Sequence, residues 1–164
     1  MSILLVGLDR EVALATTRRL VDQGDQVRVL ANEGGADYET AGAHVARGDP
    51  TDDDLVERAA QGVRTLVVGA LPPATLGSVL EGVRRAGVGR VVHCVQVGDD
   101  LPELSAASTI VLRVPRRRRV GRGLEPVRVA EAIDAADDLA GNPSLVADLS
   151  TTAGWAALRL KPPG

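Results

Sequence analysis

The sequence is poor in aromatic residues, and this restricts how its core can be built. Only Tyr38 and Trp155 are aromatic, and phenylalanine is absent from the 164 residues. The apolar content of 45% is therefore supplied mainly by Val, Leu, Ile and Ala. Parallel sheets covered by helices on both faces use these residues in nearly continuous runs. Length and composition together predict one α/β domain.

Cysteine, long apolar runs and excess charge are also scarce. Cys94 is the only cysteine, which excludes an intrachain disulfide framework. No run of eighteen apolar residues occurs and the first residues lack a signal-peptide pattern, so a cytoplasmic protein with no membrane partner is expected. The net charge of −3 gives no reason to expect nucleic acid as a partner.

Apolar runs alternate with helical periods along the whole chain, the pattern of a βαβ series. Strands are predicted at Ile3–Val6, Val27–Leu30, His44–Arg47, Thr65–Val68, Arg90–Val95, Thr109–Arg113 and Leu145–Leu149. Helices are predicted between them, and Thr51 is expected to cap the third. The prediction is a three-layer, Rossmann-like, doubly wound and mainly parallel sheet of order 3-2-1-4-5-6, with a candidate seventh strand. Residues 1–158 would form the single domain and 159–164 a flexible tail.

The first βα turn has a dinucleotide-binding spacing in which one glycine is replaced by arginine. The pattern G-x-x-G-x-x-G lets the backbone approach a pyrophosphate at a helix N-terminus. Gly7 holds the first place and Ala13 substitutes for the third, but Arg10 stands at the second. Either Arg10 turns outward and clamps a phosphate, or it fills the place of that phosphate. Asp9 is expected to cap the helix or to pair with Arg10.

Four segments in order resemble the NmrA-like, NAD(P)-binding members of the atypical short-chain dehydrogenases/reductases. That family shows G-A-T-G-x-x-G, then L-x-x-x-G-x-x-V-R-x-L-x-R, G-a-x-v-v-x-G-D and A-G-V-x-R-x-V. The corresponding segments here are Gly7–Ala13, Leu20–Asn32, Gly42–Asp49 and Ala86–Val92. Each motif alone is weak, whereas four at the right spacing are fairly specific. The chain therefore resembles a truncated and degenerate member of that family.

The resemblance implies a nucleotide site at the carboxyl ends of the strands. Its candidate residues are Gly7, Leu8, Asp9, Arg10, Asn32, Asp49, Pro50, Gly69 and Ala70. By analogy, Gly7 permits the tight turn, Asp49 meets the adenine edge, and Gly69 with Ala70 leaves space for a ribose. Asn32 at the end of strand two favours neither NAD nor NADP. Two interpretations stay open: bound NADP or NAD, or fold relics that bind no nucleotide.

The catalytic residues that the resemblance would imply are missing. Active members keep a Ser or Thr after strand five, where this chain has Val95 and Gln96, and a Tyr-x-x-x-Lys pair on the next helix. The only tyrosine and lysine are Tyr38 and Lys161, and just twelve residues, Gly98–Thr109, separate strands five and six. We therefore expect a catalytically inactive ligand sensor or interaction protein. The alternative is an NAD(P)H-dependent oxidoreductase or isomerase in which the cofactor supplies the chemistry.

Three charged or polar features remain. Asp99, Asp100 and Glu103 could replace the tyrosine, although ordinary surface charges are the favoured interpretation. The run Arg116–Arg119 could contact phosphates, nucleic acid or an acidic partner, and a solvated loop is again favoured. His44 and His93 lack metal-ligand spacing and are predicted to be edge or core residues, with no metal site.

The short connection between strands five and six has one more consequence. It should leave apolar strand surface open, and such a patch usually marks a partner site. A homodimer or a protein partner over these two strands is expected.

Overall fold

The computed structural model describes residues 1–100, 108–115, 124–141 and 143–163. The strands are β1 Ser2–Val6, β2 Gln26–Ala31, β3 His44–Arg47, β4 Thr65–Val68, β5 Arg90–Gln96, β6 Ser108–Val114 and β7 Leu145–Asp148. The helices are α1 Arg10–Asp22, α2 Gly35–Thr40, α3 Asp53–Ala60, α4 Pro73–Arg85, α5 Pro126–Asp137 and α6 Thr152–Ala157. None of the helices in these ranges is long and apolar enough to cross a membrane.

The strands form one sheet of order β3-β2-β1-β4-β5-β6-β7, and every pair of neighbours is parallel. This confirms the predicted Rossmann-like order and adds the seventh strand to the sheet. The chain adds β2 and β3 on one side of β1 and then crosses back to place β4 on the other side. In open α/β sheets a crevice forms at the carboxyl ends of two such strands, and ligands bind there.

Helices cover both faces of the sheet, and the alternation of side chains along β1 separates two cores. Ile3 and Leu5 point to the face on which α1 packs against α5. Leu4 and Val6 point to the face on which α3 packs against α4. All four side chains are almost fully buried, as expected for a central strand of a parallel sheet.

The cap of α3 differs from the prediction. Asp52, not Thr51, is the N-cap, and its carboxylate accepts the N–H of Leu55 at 3.0 Å. Thr51 instead donates its hydroxyl to Asp49 Oδ1 at 2.7 Å and its own N–H to the same oxygen at 2.8 Å. The prediction of Thr51 was wrong because the preceding carboxylate engages that hydroxyl in a turn.

Strands β5 and β6 pair along their full length, from Arg90 beside Ser108 to Gln96 beside Val114. At the start of their connection, Asp99 closes a turn. Its N–H donates to the Gln96 carbonyl at 3.1 Å, and its carboxylate accepts the Gln96 N–H at 3.3 Å. Glu103 and the run Arg116–Arg119 lie outside the described residues.

Candidate functional site

The turns that follow β1 and β4 touch each other at the centre of the carboxyl edge. Gly69 donates its N–H to the Val6 carbonyl at 3.0 Å. A Cβ on Gly69 would lie 2.1 Å from the carbonyl oxygen of Gly7, so no side chain fits at this position. Gly7 itself has φ +67°, a left-handed conformation that glycine adopts without strain. The two backbones can approach this closely because Gly69 has no side chain, whereas at Gly7 glycine allows the left-handed turn and makes room for the side chain of Leu71.

An open cleft of about 210 Å³ begins at this contact. It runs from the turn after β1, past the turn after β4, to the end of β5. Its lining is predominantly apolar and comprises Gly7, Leu8, Asp9, Val12, Gly69, Ala70, Cys94, Val95, Gln96, Val114 and Val129. The structure thus brings five of the nine predicted site residues together in one cleft. Sequence reasoning missed Val114 and Val129, which come from β6 and α5.

A second cavity of about 140 Å³ lies on the other side of the same turn. The ends of β1 and β2 and the ring of Tyr38 enclose it, and Gly7 and Leu8 line both cavities. Burial raises the pKa of Tyr38, so this hydroxyl stays protonated. The turn after β1 therefore lies between two cavities and lines both.

The N-terminus of α1 carries a cap and an outward-turned cation. Asp9 is the N-cap, and its carboxylate accepts the N–H of Glu11 at 3.1 Å. Arg10 does not line the cleft in the described structure; its Nη2 donates to Oδ2 of Asp37 on α2. The hydrogen bond to Asp37 raises the pKa of Arg10, so the guanidinium stays charged. Sequence reasoning missed Asp37, because its helix is short and the two residues lie 27 positions apart.

The other three predicted residues stand at the ends of β2 and β3, outside the described linings of both cavities. Asp49 is exposed, and its hydrogen bonds with Thr51, supplemented by one with Asn32, lower the pKa of its carboxyl. Its Oδ1 already accepts two donors from Thr51. Pro50 continues the same turn. In this structure the carboxylate of Asp49 therefore stabilises the turn that leads to α3.

The end of the cleft beside β5 holds a thiol that burial keeps protonated. Cys94 is buried, and burial raises the pKa of its thiol to about 12. Its neighbour His93 is also buried, and burial lowers the pKa of the imidazole. Gln96 contributes an exposed amide, and Asp9 a carboxylate at the entrance. Among the described lining residues there is no Tyr, Lys, Ser, Thr or His that could relay a proton.

The two histidines occupy the predicted kinds of position. His93 lies inside β5, and His44 is exposed on the edge strand β3. The single lysine, Lys161, does not line the cleft, and its carbonyl accepts a hydrogen bond from Arg128 at 2.6 Å. Tyr38 lines the second cavity, whereas Lys161 lies in neither of the two described linings.

Comparison with known proteins identifies the fold. No protein-family model matches the sequence, and no curated protein matches it. Among solved structures, ChuY from Escherichia coli CFT073 superposes with TM-score 0.73 and 14% identity, over 90% of this chain and 95% of that one. ChuY from E. coli O157:H7, described as an anaerobillin reductase, gives TM-score 0.72, 13% identity and coverages of 90% and 96%.

A short-chain dehydrogenase/reductase from Veillonella parvula in complex with NADP also matches. It superposes with TM-score 0.68 and 14% identity, over 86% of this chain and 88% of that one. The chain therefore has a Rossmann-like α/β fold, which it shares with these solved proteins.

Proposed function

We propose that this protein binds a nicotinamide dinucleotide across the carboxyl edge of its sheet and acts as a ligand sensor or interaction protein. One observation carries the proposal: the contact between Gly7 and Gly69 leaves a cavity on each side of the first turn. A dinucleotide has two nucleoside ends joined by a diphosphate, and the Rossmann arrangement places the diphosphate at that turn. The V. parvula neighbour, which was solved with NADP, supports this assignment.

The two ends of the ligand fit the two cavities differently. The adenosine half belongs beside Tyr38, at the ends of β1 and β2, where Rossmann folds hold the adenine ribose. The nicotinamide half belongs in the larger cleft, where Val95 and Gln96 follow β5. The backbone of Gly7 and Leu8 would lie between them, beneath the diphosphate.

The residues that line the cleft support the sensor role. When bound, a reduced nicotinamide can supply a hydride to an acceptor. General acid catalysis needs a proton donor within hydrogen-bond reach of the acceptor. A Cys94 thiol with a pKa of about 12 is a poor donor, and Gln96 does not titrate. Asp9 is the one carboxylate in the described lining, and it accepts the N–H of Glu11 as a helix cap, so this part of the cleft suits binding and orienting a ligand better than relaying protons.

A reductase is the second candidate, and the apolar end of the cleft favours it. The space continues from Ala70 to Val114 and Val129, which suits an apolar acceptor beside the nicotinamide. Gln96 could orient a carbonyl on such an acceptor, and solvent would deliver the proton. A neighbour described as a reductase is consistent with this alternative.

Calorimetric titration with NADP⁺, NADPH, NAD⁺ and NADH tests the binding. We expect saturable heat with at least one of them, and its loss in Ala70→Phe, because the ring would fill the cleft. Ala74→Phe is the matched control, since Ala74 is exposed on α4 and does not line the cleft. Absence of heat with all four nucleotides would remove the proposal. Oxidation of bound NADPH by an apolar carbonyl acceptor would establish the reductase instead of the sensor.

The homodimer or protein partner over β5 and β6 stays a prediction. Size-exclusion chromatography with light scattering tests the homodimer, and a monomer at high protein concentration would contradict it.

A further inference from the structure

Arg10 and Asp37 place a cation and an anion side by side next to the smaller cavity. Arg10 begins α1, and Asp37 lies in the first turn of α2, directly before the buried Tyr38 that lines the cavity. Arg10 also interacts electrostatically with the phenol of Tyr38, so its guanidinium stands on the adenosine side of the turn. The pair therefore borders the region assigned to the adenine ribose.

The pair can be opened by a competing anion. The side chains of Arg10 and Asp37 are 65% and 49% exposed. Ion pairs with this much solvent around them contribute little free energy and weaken as salt is added. A phosphate at the same place would offer Arg10 a more highly charged partner, and a guanidinium binds phosphate with two parallel hydrogen bonds.

Rossmann sites distinguish their two cofactors by the charge that faces the adenine ribose, usually at the end of the second strand, where this chain has the neutral Asn32. An acidic side chain accepts the ribose 2′-hydroxyl of NAD, whereas a nearby arginine accommodates the 2′-phosphate of NADP. In this chain both charges are present and they neutralise each other. We infer that Asp37 sets the cofactor preference by withholding Arg10 from the 2′-phosphate of NADP(H). The inference rests on the proposed function, since it concerns the same nucleotide site.

Helix α2 contains a matched control for removing the charge of Asp37. Glu39 lies two positions further along α2 and is 50% exposed, and its carboxylate pairs with Arg47 at 3.4 Å. Glu39→Gln removes one negative charge from the same helix and leaves the pair of Arg10 with Asp37 intact. Any difference from Asp37→Asn then reports the release of Arg10.

The experiment measures dissociation constants of NADPH and NADH for the wild type, Asp37→Asn, Glu39→Gln, Arg10→Gln and the Arg10→Gln/Asp37→Asn double variant. We expect Asp37→Asn to tighten NADPH by about two- to fivefold, the scale of an exposed ion pair, while NADH changes as it does in Glu39→Gln. The gain should disappear in the Arg10→Gln background and shrink at high ionic strength.

Three results would overturn the inference. Equal tightening of NADPH and NADH would mean that Arg10 reaches the shared diphosphate, not the 2′-phosphate. Equal effects of Asp37→Asn and Glu39→Gln would mean that only general charge matters. Both results leave the proposed function standing. Failure of every variant to bind either nucleotide would overturn the proposed function, and the inference with it.

Discussion

The two edges of the sheet use polar side chains in opposite ways. At the amino edge, Arg90 is only 7% exposed, and its guanidinium donates to backbone carbonyls at the end of α5. Those carbonyls belong to Ala136, Asp137, Leu139 and Gly141. The carboxylate of Asp137 is buried as well, where it accepts the hydroxyl of Thr65 at 2.5 Å and pairs with Arg64 at 2.8 Å. Charge at this edge joins α5 to the sheet.

At the carboxyl edge the charged groups stay in solvent and are joined mainly to near neighbours. Asp9 caps its own helix, Asp49 closes its own turn, and Arg10 meets Asp37 in a half-exposed pair. The cleft between them is lined mainly by apolar side chains. Buried, multiply bonded groups contribute stability when they are kept and cost much when they are removed, whereas exposed ones do neither. Changes at the amino edge should therefore alter folding, and changes of charge at the carboxyl edge should alter binding.

Replacing Arg90 should give the largest effect. Arg90→Met removes several charge-assisted hydrogen bonds and leaves carbonyls at the end of α5 without that donor, so the free energy of unfolding should fall by about 3–4 kcal/mol. Urea denaturation followed by circular dichroism measures it. Arg84→Met is the control, because Arg84 is 66% exposed and its ion pair within the described part of the chain is with Glu81 on its own helix. Similar losses in both variants would contradict the contrast between the edges.

A methyl group at Gly69 should give the next largest loss of stability. It is the exception at the carboxyl edge, because this change should alter folding as well as binding. The added Cβ would meet the backbone of Gly7, which cannot rotate away, so Gly69→Ala should cost about 1–3 kcal/mol and distort the cleft. Gly77 on α4 has no heavy atom within 4 Å of such a Cβ. Gly77→Ala should therefore stabilise the protein by about 0.5–1 kcal/mol through helix propensity. Thermal melts of both variants should move in opposite directions.

Removing the negative charge of Asp9 at the first turn should raise the affinity for the nucleotide with little change in the free energy of unfolding. Asp9→Ser keeps a capping oxygen at the N-terminus of α1 but removes a negative charge beside the proposed diphosphate site. Affinity for NADH should rise by about two- to fivefold at low salt, the scale of one unit charge at short range in water. Asp52→Ser is the matched variant, since Asp52 caps α3 in the same way, on the other face of the sheet. An equal gain in both variants would show that net charge alone is responsible.

The smallest expected effect concerns Cys94 as a chemical probe of the cleft. With a pKa of about 12, its thiol is protonated at neutral and mildly alkaline pH, and only the thiolate reacts. Labelling by a disulfide reagent should be slow and should keep accelerating as pH rises past the ordinary thiol pKa of about 8.5. In urea, the labelling rate should stop rising once the pH exceeds the ordinary thiol pKa of about 8.5. The same plateau in the native protein would mean that water reaches the Cys94 thiol freely.

The sequence was sufficient for the fold, because apolar runs and helical periods indicate the element types, and the dinucleotide-binding spacing after the first strand favours the Rossmann-like strand order. It was also sufficient for the part of the site that follows from strand ends. Gly7 and Gly69 follow neighbouring strands, so they had to meet at one edge. The role of Gly69 differs from the prediction, however. The sequence suggested that its missing side chain leaves space for a ribose, whereas in the structure it makes room for the backbone of Gly7.

The rest of the site depends on tertiary contacts that leave no local signal. The partner of Arg10 lies on a six-residue helix, and nothing in the spacing marks Asp37 as that partner. The cap of α3 was ambiguous because Thr51 and Asp52 are adjacent residues of equally suitable type. Val129 fits a core stripe on α5 whether or not a cleft lies above it.

The two ends of the sheet bear on how copies of this protein could associate. Both outermost strands, β3 and β7, are only four residues long, and each ends in a charged residue, Arg47 and Asp148. Short, charged margins discourage a strand from another molecule from adding to the ladder. Continuous intermolecular sheets are therefore disfavoured at the β3 and β7 margins of the described sheet.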